Sequence, residues 1–599
     1  MTTRCRRTAA LCAFVAMPML FLMLAGCFQR ESIRVQDAGD GDMFGAVTTD
    51  KSRYNPGDPV RYTLKLNRRD GNGTLLVRYK HLDRIVEETE IQWDGSPEIR
   101  WEWKPPADDF KGYLTEIFLK QGSAVVDHAN IAVDVSSDWG KFPRYGYLAD
   151  FMTMEQAKRE AVIDRLNRFH INGIQFYDWQ WKHHLPLKIE SGKPAATWPD
   201  IANREVSFET VKSYIDLAHE RNMTAMNYNL LYGAYEDAEQ DGVKKEWGLY
   251  KDPLHEHPDL HRLPDSWASD IVLMDPANPE WQRYLIEKEK EVFRHLPFDG
   301  WHVDQLGERG YLWTYDGKEV NLPATYGQFL QAAKKALDVD YVMNAVGQYG
   351  QGVIAAQAPV KFLYTEVWDD RPDYRHLKEI IDQNEKFGKG KLNTVLAAYM
   401  NYNRSNSPGE FNTPGVLLTD AVIFASGGSH LELGENMLSK EYFPHKKLTI
   451  PAKLEEQLVH YYDFLVAYQN LLRDRAQESN LKVTATNGTV LSGKAELGKV
   501  WTFAKRQENR SIVHFINFTG VEHMKWKDTN ATQKEPGLKE NVEIVVEADK
   551  KVNRVWMASP DFYNGSPVGL DFEQSGGRLR LTLPHLKYWD MLVMEYEEE

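Results

Sequence analysis

Past Arg144 the chain alternates short apolar runs with amphipathic stretches of helical period. The apolar runs are Tyr145–Ala149, Gly173–Tyr177, Thr224–Tyr228, Gly300–Asp304, Tyr341–Ala345, Phe362–Glu366, Thr394–Tyr399 and Ser429–Leu433. Between them stand helical patterns such as Glu155–Phe169, Phe208–Arg221, Glu280–His295 and Tyr326–Leu337. A strand that reads as a continuous apolar run is buried on both faces, and strand-then-helix repetition makes its sheet parallel. Eight such units within residues 139–478 predict a closed (β/α)8 TIM barrel. Its longest strand-to-helix excursion runs from Asn229 to about Asn278.

Upstream the period changes to two. Val60, Tyr62, Leu64 and Leu66 alternate with Arg61, Thr63 and Lys65 after a turn cluster ending in Pro59, the pattern of a half-buried strand. Leu75–Tyr79, Ile99–Trp103, Tyr113–Leu119 and Ile131–Val135 follow at short spacing, which predicts an immunoglobulin-like β-sandwich over residues 46–138. After the helical pattern Glu455–Arg473, short strands return: Val500–Arg506, Ser511–Phe518, Val542–Val546, Val552–Trp556 and Leu579–Leu583. They predict a second, antiparallel β-sandwich over residues 479–599. The expected architecture is therefore multidomain, a central barrel flanked by two sandwiches.

The chain opens with Arg4, Arg6 and Arg7, then an apolar run from Thr8 to Ala25, then Leu24-Ala25-Gly26-Cys27. This resembles a bacterial lipoprotein signal over residues 1–27, in which Cys27 becomes the acylated first residue. Polar residues 28–45 then read as a tether. The expectation is an extracytoplasmic protein held to a membrane by lipid at Cys27, periplasmic or at the cell surface. A plain transmembrane anchor and a cleaved secretory signal are the alternatives. The three cysteines, Cys5, Cys12 and Cys27, all lie in this leader, so the mature chain has no internal disulfide to form. The net charge is −15, and loss of the three leader arginines makes it −18. Such a surface disfavours nucleic acid and suits a neutral polymer.

Several predicted strands end in chemically capable residues. Gly300-Trp301-His302-Val303-Asp304 delivers an acid, and Phe362-Leu363-Tyr364-Thr365-Glu366 delivers a second, with Trp368 and Asp369 just beyond. In a barrel such ends converge on one face. Paired carboxyl groups cleave acetals and indole rings stack on sugars, so the pattern points to glycoside chemistry. Seventeen tryptophans and 29 tyrosines leave room for such platforms, although large cores use aromatics equally. Other strand ends carry Asp178, Trp179, Trp181, His183 and His184, then Tyr228 and Asn229, Asn344, Tyr399, and finally His430 and Glu432. Asp369 and Asp370 compete with Glu366 for its role, and Glu308 reads as a loop acid. Asp275, in Asp275-Pro276-Ala277-Asn278-Pro279, reads as a turn before a helix.

The stretches Phe176-Tyr177-Asp178-Trp179-Gln180-Trp181-Lys182-His183-His184, Asn227-Tyr228-Asn229-Leu230, Trp301-His302-Val303-Asp304-Gln305-Leu306-Gly307, His430-Leu431-Glu432-Leu433-Gly434 and Met437-Leu438-Ser439-Lys440-Glu441-Tyr442-Phe443-Pro444 resemble glycoside hydrolase family 66. Its members are dextranases and cycloisomaltooligosaccharide glucanotransferases. The resemblance implies Asp304 as nucleophile and Glu366 as acid/base. It implies a retaining, endo-acting hydrolase of internal α-1,6-glucosidic bonds in dextran, releasing linear isomaltooligosaccharides. Asp178, Trp179, Trp181, His183, Tyr228, Asn229, His302, Trp368, Tyr399, His430 and Glu432 are the candidate substrate contacts. No organic cofactor is implied, and nothing in the sequence demands a metal. The family's cyclising members carry an extra carbohydrate-binding module near the seventh unit, where this chain has only a short segment. Intramolecular transglycosylation by such a glucanotransferase is the nearest alternative. A non-catalytic glycan-binding lipoprotein is the alternative from another class, and it has no need of two strand-end acids.

Overall fold

The structure is a computed structural model that describes residues 33–39, 41–68 and 71–597. The leader and the lipid-attachment expectation at Cys27 lie outside the described residues. Among the described residues no helix is long and apolar enough to cross a membrane.

Eight parallel strands form the centre: β1 (Tyr145–Leu148), β2 (Gly173–Phe176), β3 (Thr224–Leu230), β4 (Gly300–Asp304), β5 (Asp340–Val346), β6 (Leu363–Glu366), β7 (Thr394–Ala397) and β8 (Gly428–Leu431). They lie in sequence order, and the ring closes between β1 and the segment after β8, where Tyr147 N–H donates to Leu433 O at 3.1 Å. A helix follows each strand: α1 (Gln156–Arg168), α2 (Phe208–Glu220), α3 (Pro279–His295), α4 (Leu322–Ala336), α5 (Gln351–Gln357), α6 (Tyr374–Gly388), α7 (Thr413–Ser426) and α8 (Ala452–Ala467). This is the TIM barrel read from the sequence. The cap of α3 shows why that helix starts where it does. Asn278 accepts from Glu280 N–H at 2.9 Å and Trp281 N–H at 3.3 Å, with Pro279 at the first helical position. Asp275 accepts from Ala277 N–H within the preceding turn, as its sequence suggested.

Strand parity decides which residues face the barrel axis. Tyr228, Val342, Tyr364, Val395 and Leu431 share one interior cluster with Tyr145. Tyr341 and Met343, on either side of Val342, and Trp301 and Val303, on either side of His302, pack outward in the layer between strands and helices. Side chains one residue apart on a strand point to opposite faces, so only alternate positions reach the axis.

The first sandwich pairs a three-stranded sheet (Phe44–Thr49, Val60–Leu66, Glu98–Trp103) with a four-stranded one (Gly73–His81, Arg84–Trp93, Lys111–Gln121, Ala124–Val135). Two of these strands were not visible in the sequence. Arg84–Trp93 is an exposed edge strand whose charged residues hide its period. Phe44–Thr49 begins inside the segment expected to be a tether. That tether is not free over its described part. Val35 is buried in a cluster with Phe118 and Val500, Arg78 donates to Ile33 O at 3.0 Å, and Gly39 N–H donates to Val125 O. The second sandwich has one seven-stranded and one four-stranded sheet. Its Trp589–Tyr596 strand is buried along its whole length, so it lacks the alternation that marks a half-buried strand.

The sandwiches are packed against the barrel rather than strung from it. The long helical pattern breaks at Tyr468 into α8 and a short α9 (Gln469–Leu472), both packed on the first sandwich. Gly112 permits this approach, because a Cβ there would stand 2.0 Å from Val466 O. Asp134 and Arg144, both fully buried, pair at 2.8 Å across the junction, and Asp134 also accepts from Gln469 at 2.8 Å and Ser136 at 2.6 Å. Asp134→Ala leaves the guanidinium buried without its partner. The expected cost is about 3–5 kcal/mol, read as a lower denaturation midpoint. An unchanged midpoint would show that solvent reaches Arg144.

Candidate active site

Six strands, β2 to β7, bring their interior-facing ends to one cavity of about 380 Å³ at the C-terminal mouth of the barrel. Asp304 ends β4, Asn344 lies on β5, Glu366 ends β6, Tyr228 lies on β3, and Tyr399 stands two residues past β7. Asn344 joins the two acids. Its Nδ2 donates to Asp304 Oδ1 at 2.9 Å and to Glu366 Oε2 at 3.0 Å. Those two bonds laid end to end cap the separation of the oxygens at 5.9 Å.

The acids sit in different surroundings. Asp304 accepts three hydrogen bonds: Asn344, Gln305 N–H at 2.8 Å, and Tyr228 O–H at 2.6 Å on its other oxygen. Burial raises its carboxyl above the usual range, and these donors oppose the rise. Glu366 accepts from Asn344 and from Tyr399 O–H at 2.5 Å. Burial first, and then the charge of Asp304, push it up to about 7. The pair therefore keeps its first proton on Glu366 near neutral pH, with Asp304 ionised.

Below them His302 forms part of the floor. Its Nδ1 lies 3.1 Å from Tyr145 Oη, and its ring stands edge-on to Tyr364. Burial lowers its pKa to about 3, so the imidazole stays neutral. Trp368 lines the wall beside Glu366. Its ring, with that of Tyr402, faces the ammonium of Lys527, at 5.5 and 4.9 Å. Lys527 comes from a loop of the second sandwich. That loop also accepts Asn401 N–H at Lys527 O and holds Tyr374 N–H at Met524 O. Lys527 pairs with Asp369 at 2.5 Å, and Asp369 is turned to solvent, outside the cavity lining that holds Asp304 and Glu366. Asp370 is exposed beside Arg371, and Glu308 stands at the cavity rim.

Of the predicted contacts, Asp304, Glu366, Tyr228, His302, Trp368 and Tyr399 meet in the cavity. The others do not line it. Asn229 has the opposite parity to Tyr228 and points outward, where its Nδ2 donates to Glu289 Oε1 at 2.6 Å and to His183 O. Asn227 donates to the same buried carboxylate, and Trp179 donates to Asn227 at 2.8 Å. His183 bonds Asn229, so Trp179, His183 and Asn229 form a packing network between β3 and α3. Trp181 is half-buried beside the ammonium groups of Lys182 and Lys188. Asp178 is buried behind Tyr177, where burial raises it to about 7 and Arg204 opposes the rise. His430 and Glu432 flank the inward Leu431 and face α7 and α8. His430 contacts Asp420 Oδ1 and Ala398 O, both at 2.8 Å, and Tyr462 donates to Glu432 at 2.9 Å. Burial alone would lower His430, but Glu432 and Asp420 raise it to about 10. His430, Asp420 and Glu432 thus form a buried polar cluster behind the wall. His184, Asp237 and Asp241 also cluster, and the Lys182 ammonium donates to both carboxylates at 2.8 Å.

The cavity also contains residues that were not among the candidate contacts: Gln175, His261, Glu441 and Tyr442, the last two from a stretch that carries the family resemblance. Gln175 is a polar residue inside an apolar strand, at the same parity as Tyr177. His261 comes from the long excursion after β3 and bonds Tyr442 Oη at 2.9 Å, closing one side. Gln175 Oε1, Asn344 Oδ1, Trp368 Nε1 and Glu441 Oε2 are buried with no partner in the protein. Buried polar atoms are nearly always paired, so this ring of open donors and acceptors suits a ligand rich in hydroxyl groups.

Comparison with known proteins extends this picture. The chain is 28% identical to a cycloisomaltooligosaccharide glucanotransferase of Niallia circulans over 92% of this chain and 71% of that protein. It is 26% identical to a dextranase of Streptococcus salivarius over 81% of this chain and 67% of that protein. The crystal structure of a Paenibacillus sp. cycloisomaltooligosaccharide glucanotransferase complexed with cycloisomaltoheptaose superposes with a TM-score of 0.87 at 28% identity. That superposition covers 93% of this chain and all of the other. The model of glycosyl hydrolase family 66 matches residues 49–593, from the first sandwich through the barrel and across the second, and the chain belongs to that family.

Proposed function

We propose that the chain is a retaining, endo-acting hydrolase of α-1,6-glucosidic bonds in dextran. The observation that carries the reading is the Asn344 bridge between an ionised Asp304 and a protonated Glu366. Its 5.9 Å cap on the two bridged oxygens admits the ~5–5.5 Å separation of a retaining pair. In the first step Asp304 attacks the anomeric carbon while Glu366 gives its proton to the departing glycosidic oxygen. A glycosyl ester on Asp304 results and Glu366 is left as a carboxylate. In the second step Glu366 takes a proton from water, the hydroxyl oxygen bonds the anomeric carbon, and Asp304 leaves. Two inversions give net retention. The three donors on Asp304 hold it in one orientation, which keeps the attack geometry fixed before the substrate arrives.

Linear products are the expected outcome. Ring closure requires the far end of the bound chain to beat water to the glycosyl ester, which a chain-holding device favours by raising its effective concentration. Here β7 and α7 are joined by residues 398–412, too short a segment for such a module. The glucanotransferase relatives favour the competing reading, and a dextran digest separated by chromatography and mass spectrometry decides between them. Linear isomaltooligosaccharides are expected as the main early species. Cyclic products, lighter by one water, would overturn the hydrolase reading.

The same reading places the enzyme outside the cytoplasm, anchored by lipid. The basic start, apolar run and Leu24-Ala25-Gly26-Cys27 sequence support it. Mass spectrometry of the mature N-terminus is expected to find acylated Cys27. An unmodified terminus at another residue would sink the anchor.

A further inference from the structure

At the end of the barrel opposite the carboxylates lies a second, smaller cavity of about 40 Å³. It opens to solvent where the start of β7, the C-terminus of α7, the chain after α9 and the strand Val500–Gln507 of the second sandwich meet. Its charges are unbalanced: Lys141, Lys391, Arg473, Arg475 and Lys505 stand against one acid, Glu385. Lys141 is taken by Asp474 at 2.6 Å, and Lys391 and Arg475 are exposed at the rim.

Arg473 and Lys505 are different. They are 4% and 3% exposed and approach from separate domains. Arg473 donates to Pro143 O through Nη2 at 2.9 Å, while its Nε and Nη1 are buried with no partner. Lys505 donates to Ser426 O at 2.5 Å, one of the three bonds an ammonium offers. The hydroxyl of Ser426, also in the lining, is buried without a partner. Gly427 has a φ of +99°, and a Cβ there would stand 3.1 Å from Lys505 Nζ, so glycine keeps the space clear. Burial, and then Arg144, push Arg473 down to about 9 against Asp134, and burial lowers Lys505, with Lys378 adding to the fall and Glu478, Glu385 and Asp382 opposing it.

We propose that this cavity binds a small monovalent inorganic anion of chloride size, held by Arg473, Lys505 and Ser426 and joining the barrel to the second sandwich. Open N–H and O–H donors line it from both domains, and a spherical acceptor in it would give them a partner. The volume accommodates a single-atom ion or a few waters and excludes a sugar ring. The site lies at the other end of the barrel from the acids and is independent of the glucan reading.

The test uses the full chain, with sodium chloride exchanged for sodium gluconate at constant ionic strength so that general salt effects cancel. Chloride or bromide is expected to raise Tm saturably by about 1–3 °C. Arg473→Met and Lys505→Met are each expected to erase that rise. Wild-type crystals grown with bromide are expected to show an anomalous peak within hydrogen-bonding distance of Arg473 Nε and Lys505 Nζ. A Tm indifferent to chloride, an equal rise in Arg473→Met, or water in place of bromide in the cavity would each overturn the proposal. Should the variants fail to fold, the wild-type bromide crystal decides alone.

Discussion

Asp304→Asn is expected to lower kcat on dextran by at least about 10⁴-fold while the unfolding midpoint stays close to that of the wild type. The amide keeps the shape of the carboxylate and one acceptor oxygen for Asn344 or Gln305 N–H. The Tyr228 hydroxyl can rotate to accept from the new NH2 group. What the proposed mechanism loses is its nucleophile, because a neutral amide cannot form the glycosyl ester. The substitution also removes the charge that helps hold the proton on Glu366. The Glu366 pKa should therefore fall from about 7, which NMR or a pH titration of ligand binding would detect. Near-normal turnover in this variant would show that another group attacks the sugar.

Glu366→Gln is expected to cost about 10²–10⁴-fold in kcat/KM, the range for removing a general acid and base. Glu366→Ala should be partly rescued by azide on substrates with activated leaving groups. Such substrates need little proton donation, and azide resolves the ester on Asp304 without a base. A variant that azide leaves unchanged would place the acid/base elsewhere. The same residue sets the pH dependence. The first step needs Glu366 protonated, so kcat/KM falls as pH rises through its pKa, and the alkaline limb is expected near pH 7. The Tyr399 hydrogen bond stabilises the carboxylate and lowers that pKa. Tyr399→Phe should therefore move the alkaline limb to higher pH while the acid limb stays. A limb that moves down, or does not move, would mean that Glu366 is not the titrating acid.

Much of this site was legible because barrel chemistry is written at strand ends. Asp304 and Glu366 each terminate an apolar run, and a run that is buried on both faces has little reason to end in an acid unless the mouth uses it. Residues near the other strand ends were harder to sort. Tyr228 and Asn229 are neighbours at one strand end, and His430 stands one residue from the inward Leu431. The sequence shows that each lies on a barrel strand but not which way it points. In a half-buried strand the polar side chains mark the solvent face. In a strand buried on both sides, polar residues occur on either face, as Asn227 and Asn229 do against Glu289.

The sequence by itself determined the architecture and that two acids stand at barrel strand ends, because local period, turn residues and run length are properties of neighbouring positions along the chain. Eight strand-and-helix units between two blocks of period-two strands left little freedom in how the elements could close. Only the tertiary structure decided the sidedness of each strand, since one residue of parity moves a side chain from the axis to the helix layer. It placed His430 and Glu432 in a buried ion cluster and Trp179 in the packing, and it brought in His261 and Glu441 from distant loops. It also brought Lys527 of the second sandwich beside Trp368, and Lys505 beside Arg473 at the other end of the barrel. Contacts of this kind join residues far apart along the chain, and no local pattern carries them, because they exist only once separately folded layers are pressed together.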